Sequence, residues 1–513
     1  MIPTLRTEEV ISEAEARFER NRRTLGLFLG PLAGLVVWAI PFPSLTPEAH
    51  GLAWILSVVV VFWVTEAIPI PVTALIGPIL CILTGVGKAK DVLALFAHPI
   101  IFLFIGSFFI AQAMIVHGLD RRVALGILAR PWIGSSPGRL LFSFGAITGF
   151  ISMWISNTAS TAMMFPIALG ILSGIEEVSR KGGAGPAGPG LGRYRTGLML
   201  MVAYSASVGG IGTIIGTPPN LIAVGLIKEQ IGHEFSFLGW MVLAVPLVLA
   251  MYGLLFFLLF GLHRPTGVSL EGAAAYIQKE RAKLGGWTPG QRNAAAAFLL
   301  AVILWFTPGI IALFAGTESP AYKWYAAHLP SSVVALVAAV LLFFLPTDWA
   351  KRKFTLTWEE ASKIDWGTIL LFGGGLSLGT LMFKTGLAEV MGHSLMTLLS
   401  LESLWMITGL SIFLGIIISE LTSNTASANM VIPVVISIAV AAGVNPLPPA
   451  LGACLGASYG FMLPISTPPN AIVYGSGFIP ITRMIRAGVV FDILGLVVIW
   501  TGLRILCPLL GFA

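Results

Sequence analysis

Residues 152–166 are SMWISNTASTAMMFP, and residues 419–433 are SELTSNTASANMVIP. The two segments agree at 8 of 15 positions with an offset of 267, whereas chance at average composition gives about one match. Both segments carry Ser-Asn-Thr inside a long hydrophobic stretch. The agreement indicates an internal duplication, and the organisation of the chain follows from it.

A second pair of motifs extends the duplication. Thr-Pro-Pro-Asn occurs at residues 217–220 and again at 467–470, with an offset of 250. The two offsets differ by 17 residues, which fits an insertion in the first half at the Gly/Pro-rich run 182–190. Such a composition is typical of a flexible surface loop. A weaker match pairs residues 104–106 with 372–374, so the repeat reaches back before the Ser-Asn-Thr motifs.

The amino-acid composition indicates that this chain lies in a lipid bilayer and not in water. Of its 513 residues, 56% are hydrophobic and 11% are charged, against roughly 25% charged in a soluble domain. Apolar runs of about twenty residues, long enough to span a bilayer, recur along the chain. The net charge of +6 comes from basic residues between these runs, so nucleic acid is not the partner. Cys81, Cys454 and Cys507 stand apart and indicate neither a disulfide framework nor a thiolate metal site.

Hydropathy predicts an all-α polytopic membrane protein. Two stretches, 138–178 and 402–442, are each expected to enter and leave the membrane on one side as a re-entrant helical hairpin. Eleven crossings remain, and their boundaries are good to a few residues. They lie near 24–43, 51–68, 72–86, 92–118, 196–226, 237–262, 293–315, 331–346, 364–398, 446–480 and 487–505.

The basic residues orient these spans. With this arrangement 24 of the 30 Lys and Arg residues fall on one side, which the positive-inside rule assigns to the cytoplasm. We therefore expect a multi-pass protein of the cell (inner) membrane with its N-terminus inside and its C-terminus outside. Five crossings separate the hairpins, and this odd number turns the second repeat upside down. Inverted repeats of broken helices are typical of secondary transporters with a site near the midplane.

The motif residues suit a particular chemistry. Ser, Asn and Thr side chains donate to the oxygens of an anion and accept around a small cation. Unwound carbonyl groups offer ligands to Na⁺, and the following half-helix adds partial positive charge. Neither motif contains Arg or Lys. A dianion held by neutral donors in a low dielectric is costly unless cations bind with it, so the motifs favour symport of an anion with Na⁺.

Other interpretations exist for single residues. Small polar residues in membrane helices mostly serve close packing, but duplication at equivalent breaks weakens that interpretation here. Glu420 is an intramembrane acid and a functional suspect; a salt bridge or snorkelling is the alternative. Residues 375–379 and 456–460 fit the G-x-S-x-G pattern of a serine hydrolase, but neither follows a predicted strand. With no P-loop, H-E-x-x-H or dinucleotide fingerprint, we expect no enzyme and no ATP-driven pump.

The paired Ser-Asn-Thr and Thr-Pro-Pro-Asn motifs resemble those of the divalent anion:sodium symporter family, from about residue 24 to the end of the chain. The resemblance implies eleven transmembrane helices with two re-entrant hairpins, a homodimer, and an elevator-like motion of a transport domain against a scaffold. It implies sodium-coupled uptake of C4 dianions such as succinate, fumarate and malate. Since members of the family also carry sulfate or citrate, or exchange dicarboxylates without sodium, these alternatives stay open.

The resemblance also implies site residues. The substrate carboxylates would be bound by Ser156, Asn157, Thr158, Ser423, Asn424 and Thr425, with Thr467 and Pro468 closing the pocket. One sodium ion would be bound by Ser152, Ser156, Asn157 and Gly210, and its counterpart by Ser419, Ser423, Asn424 and Ser466. Ile155 and Thr422, which precede the motifs, differ between the repeats, so the two sodium sites need not be equivalent.

With the elevator arrangement implied by this family, the chain divides into six parts. These are a cytoplasmic amphipathic N-terminal helix (1–23), scaffold helices of the first repeat (24–136), the first hairpin with transport-domain helices (137–262), a cytoplasmic linker (263–292), scaffold helices of the second repeat (293–400), and the second hairpin with transport-domain helices (401–513).

Overall fold

The computed structural model describes residues 13–181, 189–400 and 402–512, and helices dominate these ranges. The start of the predicted N-terminal helix (1–12) and most of the Gly/Pro-rich run (182–188) lie outside the described residues. The helices up to residue 283 are α1 (Glu13–Ala39), α2 (Pro47–Thr65), α3 (Ile70–Leu83), α4 (Ala89–Ala94), α5 (Pro99–Val116), α6 (Leu119–Leu128), α7 (Pro137–Ser152), α8 (Asn157–Lys181), α9 (Pro189–Gly210), α10 (Pro218–Ile231), α11 (Phe237–Leu262) and α12 (Glu271–Lys283).

The remaining helices follow the same pattern of short connections. They are α13 (Pro289–Ala315), α14 (Pro320–His328), α15 (Ser331–Phe344), α16 (Trp358–Ala361), α17 (Trp366–Lys384), α18 (Leu387–Leu399), α19 (Leu404–Leu421), α20 (Asn424–Ala441), α21 (Leu447–Ala457), α22 (Pro468–Tyr474) and α23 (Ile481–Leu509). Short 3₁₀ helices lie at Leu95–Ala97 and Ile133–Ser135, and strands β1 (Pro346–Asp348) and β2 (Lys353–Phe354) pair antiparallel.

The prediction of a polytopic, helical membrane protein is confirmed. Within the described residues, nine helices are long and apolar enough to cross a membrane, or ten if α14 and α15, bent by 56°, form one span. Outside these spans, the small β1–β2 hairpin is a departure from the all-α prediction. Its two strands connect α15 to α16 and carry exposed or half-buried side chains.

Two glycines end helices at corresponding points of the repeats. The predicted span 364–398 is divided, because Gly386 adopts φ +80° between α17 and α18. Gly118, at φ +63°, separates α5 from α6 in the same way. Positive φ is readily adopted only by glycine, so each glycine stops one helix and starts another at a new angle. Hydropathy does not depend on backbone conformation, so the sequence predicts one continuous span over 364–398.

The segments predicted as surface pieces are more closely packed than expected. Helix α1 begins at Glu13 and continues past residue 23, so residues 13–23 and the first span form one helix. In the predicted linker 263–292, α12 packs on α8, with Ala273 and Ile277 buried. A Cβ at Gly174 would lie 3.1 Å from the carbonyl carbon of Gly272. Helix α12 therefore packs one face on α8, while its other face, which includes Lys279 and Arg281, is exposed.

The two hairpins and the two broken helices interlock. In each half the first arm of the hairpin packs on the first segment of the broken helix, α7 on α9 and α19 on α21. The second segments cross over, because α10 contacts α20 and α21 while α22 contacts α8 and α9. Each break is consequently built from both halves of the chain.

Candidate functional site

The first hairpin is interrupted between Ser152, the end of α7, and Asn157, the start of α8. The Ser152 hydroxyl donates to Oδ1 of Asn157 at 2.7 Å. Oγ of Ser156 accepts from the backbone N–H of Ala159 at 3.2 Å, as N-cap residues do. These bonds fix the tip, and the Asn157 amide keeps a free lone pair and its N–H groups for a ligand.

The second tip has the same construction. The Ser419 hydroxyl donates to Oδ1 of Asn424 at 2.7 Å and also lies 2.9 Å from the carbonyl oxygen of Ala457. Oγ of Ser423 accepts from the backbone N–H of Ala426 at 3.2 Å. The duplicated sequence thus produces a duplicated hydrogen-bond pattern. The tips differ beside it, because the Thr422 hydroxyl donates to the carbonyl oxygen of Trp63 at 2.9 Å, which Ile155 cannot do.

Gly210 lies against the first tip, as the sodium-site prediction requires. A Cβ at this position would be 3.1 Å from Cγ and 3.2 Å from Nδ2 of Asn157, and closer still to Oδ1. Gly216 was not anticipated as a site residue. A Cβ there would lie 3.0 Å from the carbonyl oxygens of both Ser152 and Met153. Backbone and side-chain oxygens therefore converge at this tip, and the 250-residue offset, which pairs Gly216 with the predicted ligand Ser466, could have identified it.

The final Asn of each Thr-Pro-Pro-Asn motif holds the adjacent break together, a role that sequence reasoning missed. Nδ2 of Asn220 lies 2.7–3.2 Å from three unwound carbonyl oxygens, those of Gly210, Ile211 and Thr213. Nδ2 of Asn470 lies 2.9–3.0 Å from two, those of Gly460 and Leu463. These bonds satisfy buried carbonyl groups that the broken helices leave open. The duplication of the Asn was the available indication.

The predicted substrate residues differ in accessibility. Ser156, Asn157, Ser423 and Asn424 are half-buried at the tips, and Thr158 is exposed beside them. The corresponding Thr425 is buried. In the following motif, Thr467 is buried and its Oγ1 accepts from the backbone N–H of Asn470 at 3.3 Å, while Pro468 is exposed.

Glu420 lies deep beside the second tip. Its side chain is 3% exposed, which excludes snorkelling to a surface. Its Oε1 accepts from the backbone N–H of Met462 at 2.8 Å, and its Oε2 accepts from the hydroxyl of Ser466. The ion pairs formed within the described residues do not include it. Glu420 thus contacts a predicted sodium ligand directly.

The oxygens at both tips match the ligands that transporters use for Na⁺, namely hydroxyls, amide oxygens and unwound carbonyl groups. Among the described residues, no group of three or more His, Cys, Asp and Glu side chains could hold a metal ion. The tips are therefore suited to a hard monovalent cation and to an anion that accepts from neutral donors.

A cavity of about 470 Å³ lies elsewhere and shares no residue with the tips. It is bounded by α2, α4 and α17 and by the residues between α3 and α4, so the candidate site rests on the tips instead. Its lining consists of Thr46, Glu48, Gly85, Val86, Gly87, Lys88, Asp91, Val92, Leu95, Thr380, Leu381, Lys384 and Thr385.

The serines of the two G-x-S-x-G segments are packing residues. The Ser377 hydroxyl, inside α17, donates to the carbonyl oxygen of Val92 at 3.0 Å. Ser458 follows the end of α21, and its hydroxyl lies 3.5 Å from the carbonyl oxygen of Cys454. Both side chains are fully buried in helical surroundings, whereas a nucleophile elbow follows a strand.

Many apolar helices with duplicated breaks that carry no Lys or Arg are the architecture of a polytopic membrane transporter. A family model described as the sodium:sulfate symporter transmembrane region matches residues 21–511. The chain therefore belongs to this family, the divalent anion:sodium symporters.

Similar proteins agree with this membership. A protein named sodium-dependent dicarboxylate transporter SdcS, from Staphylococcus saprophyticus, is 34% identical over 488 residues, covering 94% of this chain and 91% of the relative. A protein of the same name from Staphylococcus aureus is 33% identical over 479 residues, with coverage of 93% and 89%. The fold is similar to the crystal structure of the YdaH transporter of Alcanivorax borkumensis (TM-score 0.54, 13% identity), over 81% of this chain and 86% of that one.

Proposed function

We propose that this protein is a secondary active transporter that carries C4 dicarboxylates such as succinate, fumarate and malate into the cell together with Na⁺. The observation that carries the proposal is the pair of tips with the same hydrogen bonds, Ser152 to Asn157 and Ser419 to Asn424, each 2.7 Å. Both are uncharged, so a dianion between them needs co-bound cations. The staphylococcal relatives are named sodium-dependent dicarboxylate transporters, which supports the same ion and substrate class.

The proposed sodium and substrate sites lie at the two hairpin tips. Each tip binds one sodium ion, and the free amide and hydroxyl groups of both tips bind the carboxylates. The first sodium ligands are Ser152, Ser156, Asn157 and Gly210, and the second are Ser419, Ser423, Asn424 and Ser466. The substrate ligands are Ser156, Asn157, Thr158, Ser423, Asn424 and Thr425, with Thr467 and Pro468 beside them.

The proposed mechanism uses an inverted repeat in a homodimer with N-termini inside and C-termini outside the cell membrane. Sodium binding organises both tips, the dianion completes the site, and the loaded domain crosses as a unit. The interlocking of α10 with α20 and of α22 with α8 supports movement of both tips together. A pair of structures with the hairpins fixed at one depth would contradict the elevator.

The experiment that tests the proposal is succinate uptake into proteoliposomes. We expect uptake with an inward Na⁺ gradient and none when choline replaces Na⁺. Preloading the vesicles with succinate tests exchange. Equal uptake without Na⁺ would remove the symport proposal and favour the sodium-independent exchanger.

A sulfate carrier is the second candidate, because the matching family model is described by sodium:sulfate symport. Competition of labelled succinate uptake by fumarate, citrate and sulfate distinguishes the substrates. We expect fumarate to compete at concentrations close to that of succinate. Inhibition by sulfate alone would assign the site to sulfate, and inhibition by citrate alone would assign it to citrate.

A further inference from the structure

Two buried acids meet behind the second tip. Glu420, near the end of α19, and Asp492, inside α23, are 3% and 5% exposed. Met462 connects them, since its N–H bonds Glu420 and a Cβ at Gly488, one turn before Asp492, would lie 2.5 Å from its Cα. Carboxylates are acceptors only, so two of them cannot bond to each other unless something positive lies between them.

The surroundings provide no permanent positive charge. Asp492, like Glu420, is absent from the ion pairs formed within the described residues. Glu420 has two donors, the Met462 N–H and the Ser466 hydroxyl. Within the part of the chain that the structure describes, neither oxygen of Asp492 has an N–H or O–H partner. A buried carboxylate without a partner is costly, and at membrane depth it indicates a functional site.

A third oxygen group belongs to the same place. Tyr459 is fully buried, and its hydroxyl also has no hydrogen-bond partner among the described residues. Asp492 and Gly495 are three residues apart and therefore share one face of α23. The ring of Tyr459 lies against Gly495 on the same face of α23, since a Cβ at 495 would be 2.8 Å from its Cζ. The face of α23 that carries Asp492 therefore packs on the unwound segment that contains Tyr459 and Met462, the residue whose N–H bonds Glu420.

Glycines bring these elements into contact. A Cβ at Gly488, one turn before Asp492, would lie 2.5 Å from Cα of Met462. The absence of that Cβ lets the unwound backbone reach α23 closely enough for the Met462 N–H to bond Glu420. The acids are thus held together by backbone packing and not by a direct attraction between them.

We propose that Glu420 and Asp492 bind a third sodium ion, with the Tyr459 hydroxyl as a further ligand. The identity of the ion rests on the proposed function, in which Na⁺ is the coupling cation. Ser466 connects this site to the second sodium site, because it is a proposed ligand there and donates to Glu420. A Na⁺ bound here offsets one of the two carboxylate charges, and the sodium ions at the tips remain opposite the dianion.

The first half has no equivalent of this site. With the 267-residue offset, the position of Glu420 is occupied by Met153, and with the 250-residue offset that of Tyr459 is occupied by Gly209. The additional ion belongs to the second half only. Each chain therefore binds three sodium ions. One lies at the first tip, one at the second tip and one behind the second tip.

The test is equilibrium binding of ²²Na⁺ to the purified full-length protein, with choline chloride keeping ionic strength constant. We expect three sodium ions per chain for the wild type and two for Asp492→Asn. The control is Asp120→Asn, which changes another buried acid, on α6, away from the tips. It should keep all three. Two ions in the wild type, or an unchanged number in Asp492→Asn, would overturn the proposal.

Folding is measured on the same samples by size-exclusion chromatography and by thermal unfolding without Na⁺. Asp492 accepts no hydrogen bond from an N–H or O–H group of the described residues, so Asn costs none there and its amide can donate to Glu420. We expect an unfolding temperature at or above that of the wild type. If Asp492→Asn does not fold, the bound sodium ions are counted in Glu420→Gln instead. If neither variant folds, the number of sodium ions bound per wild-type chain decides alone.

The count does not depend on transport, because it uses Na⁺ alone. If Asp492→Asn binds one ion fewer than the wild type but the wild type shows no Na⁺-driven uptake, the third site is supported and the proposed symport is rejected. Sodium-driven uptake with an unchanged count would do the reverse.

Discussion

Gly210→Ala tests how closely the first tip is fitted to its ion. The new Cβ would be 3.1 Å from Cγ of Asn157 and closer to Oδ1, so the amide would have to withdraw by roughly 1 Å to restore ordinary contact. That movement removes Oδ1 from its 2.7 Å hydrogen bond with Ser152. Loss of one such buried polar interaction costs about 1–3 kcal/mol, which corresponds to a rise of about 5- to 140-fold in the half-saturating Na⁺ concentration.

The assay is succinate uptake into proteoliposomes at increasing external Na⁺ and saturating succinate. Gly460→Ala is the matched variant, since its Cβ would remain 3.2 Å from Oγ of Ser419 and requires a shift of only tenths of an ångström; we expect a smaller change. Gly126→Ala is the control, because nothing lies within 4 Å of that Cβ. A half-saturating Na⁺ concentration within twofold of the wild type for Gly210→Ala would refute the reasoning.

Three further predictions follow from the same structure. Asn157→Ala and Asn424→Ala should each lower Na⁺-driven uptake at least tenfold with an unchanged elution profile, and near-normal uptake would return these residues to a packing role. Asn220→Ala removes the amide donor shared by three unwound carbonyl groups and leaves that of Gly210 without it, while that of Ile211 keeps the Trp240 indole N–H and that of Thr213 keeps the Gly216 N–H; we expect a loss of about 1–3 kcal/mol, seen as a lower unfolding temperature in detergent, and no decrease would contradict that role. Burial raises the pKa of Asp120, at the start of α6 outside the spans, to about 6. The folded protein then binds this proton more tightly than the unfolded chain, so stability should fall by about 3 kcal/mol as the pH rises from about 4 to above 6. Asp120→Asn should remove this component from the pH profile of thermal unfolding, and an unchanged profile would contradict it.

The sequence was sufficient for the features that are local. Ser-Asn-Thr inside an apolar stretch predicts an interrupted helix, and the structure has breaks after Ser152 and after Leu421. Paired prolines predict a new helix start, and α10 and α22 begin at Pro218 and Pro468. These predictions succeed because N-capping side chains and missing backbone N–H groups act within a few residues.

Features that depend on distant contacts were not accessible in the same way. The prediction of one span over 364–398 missed the helix end at Gly386, because a residue's hydrophobicity is the same in the helical conformation and at positive φ. Asp492 and Glu420 are 72 positions apart, and no spacing rule predicts that α23 packs on the segment that bonds Glu420. Gly216 is intermediate, since the 250-residue offset pairs it with Ser466, whereas its approach to the carbonyl oxygens of the first tip depends on how the broken helix packs on the hairpin.

The exchange of segments between the halves has a consequence for biosynthesis. Helix α22 contacts α8 and α9, although its first residue, Pro468, follows the end of α9 by more than 250 positions. At roughly 5–20 residues per second, a ribosome needs tens of seconds to cover that distance. During this time the polar break after Gly210 is in the membrane without one of its permanent neighbours. We expect the nascent first half to depend on the insertion machinery or on water for that interval, and to mature only when the last part of the chain has emerged.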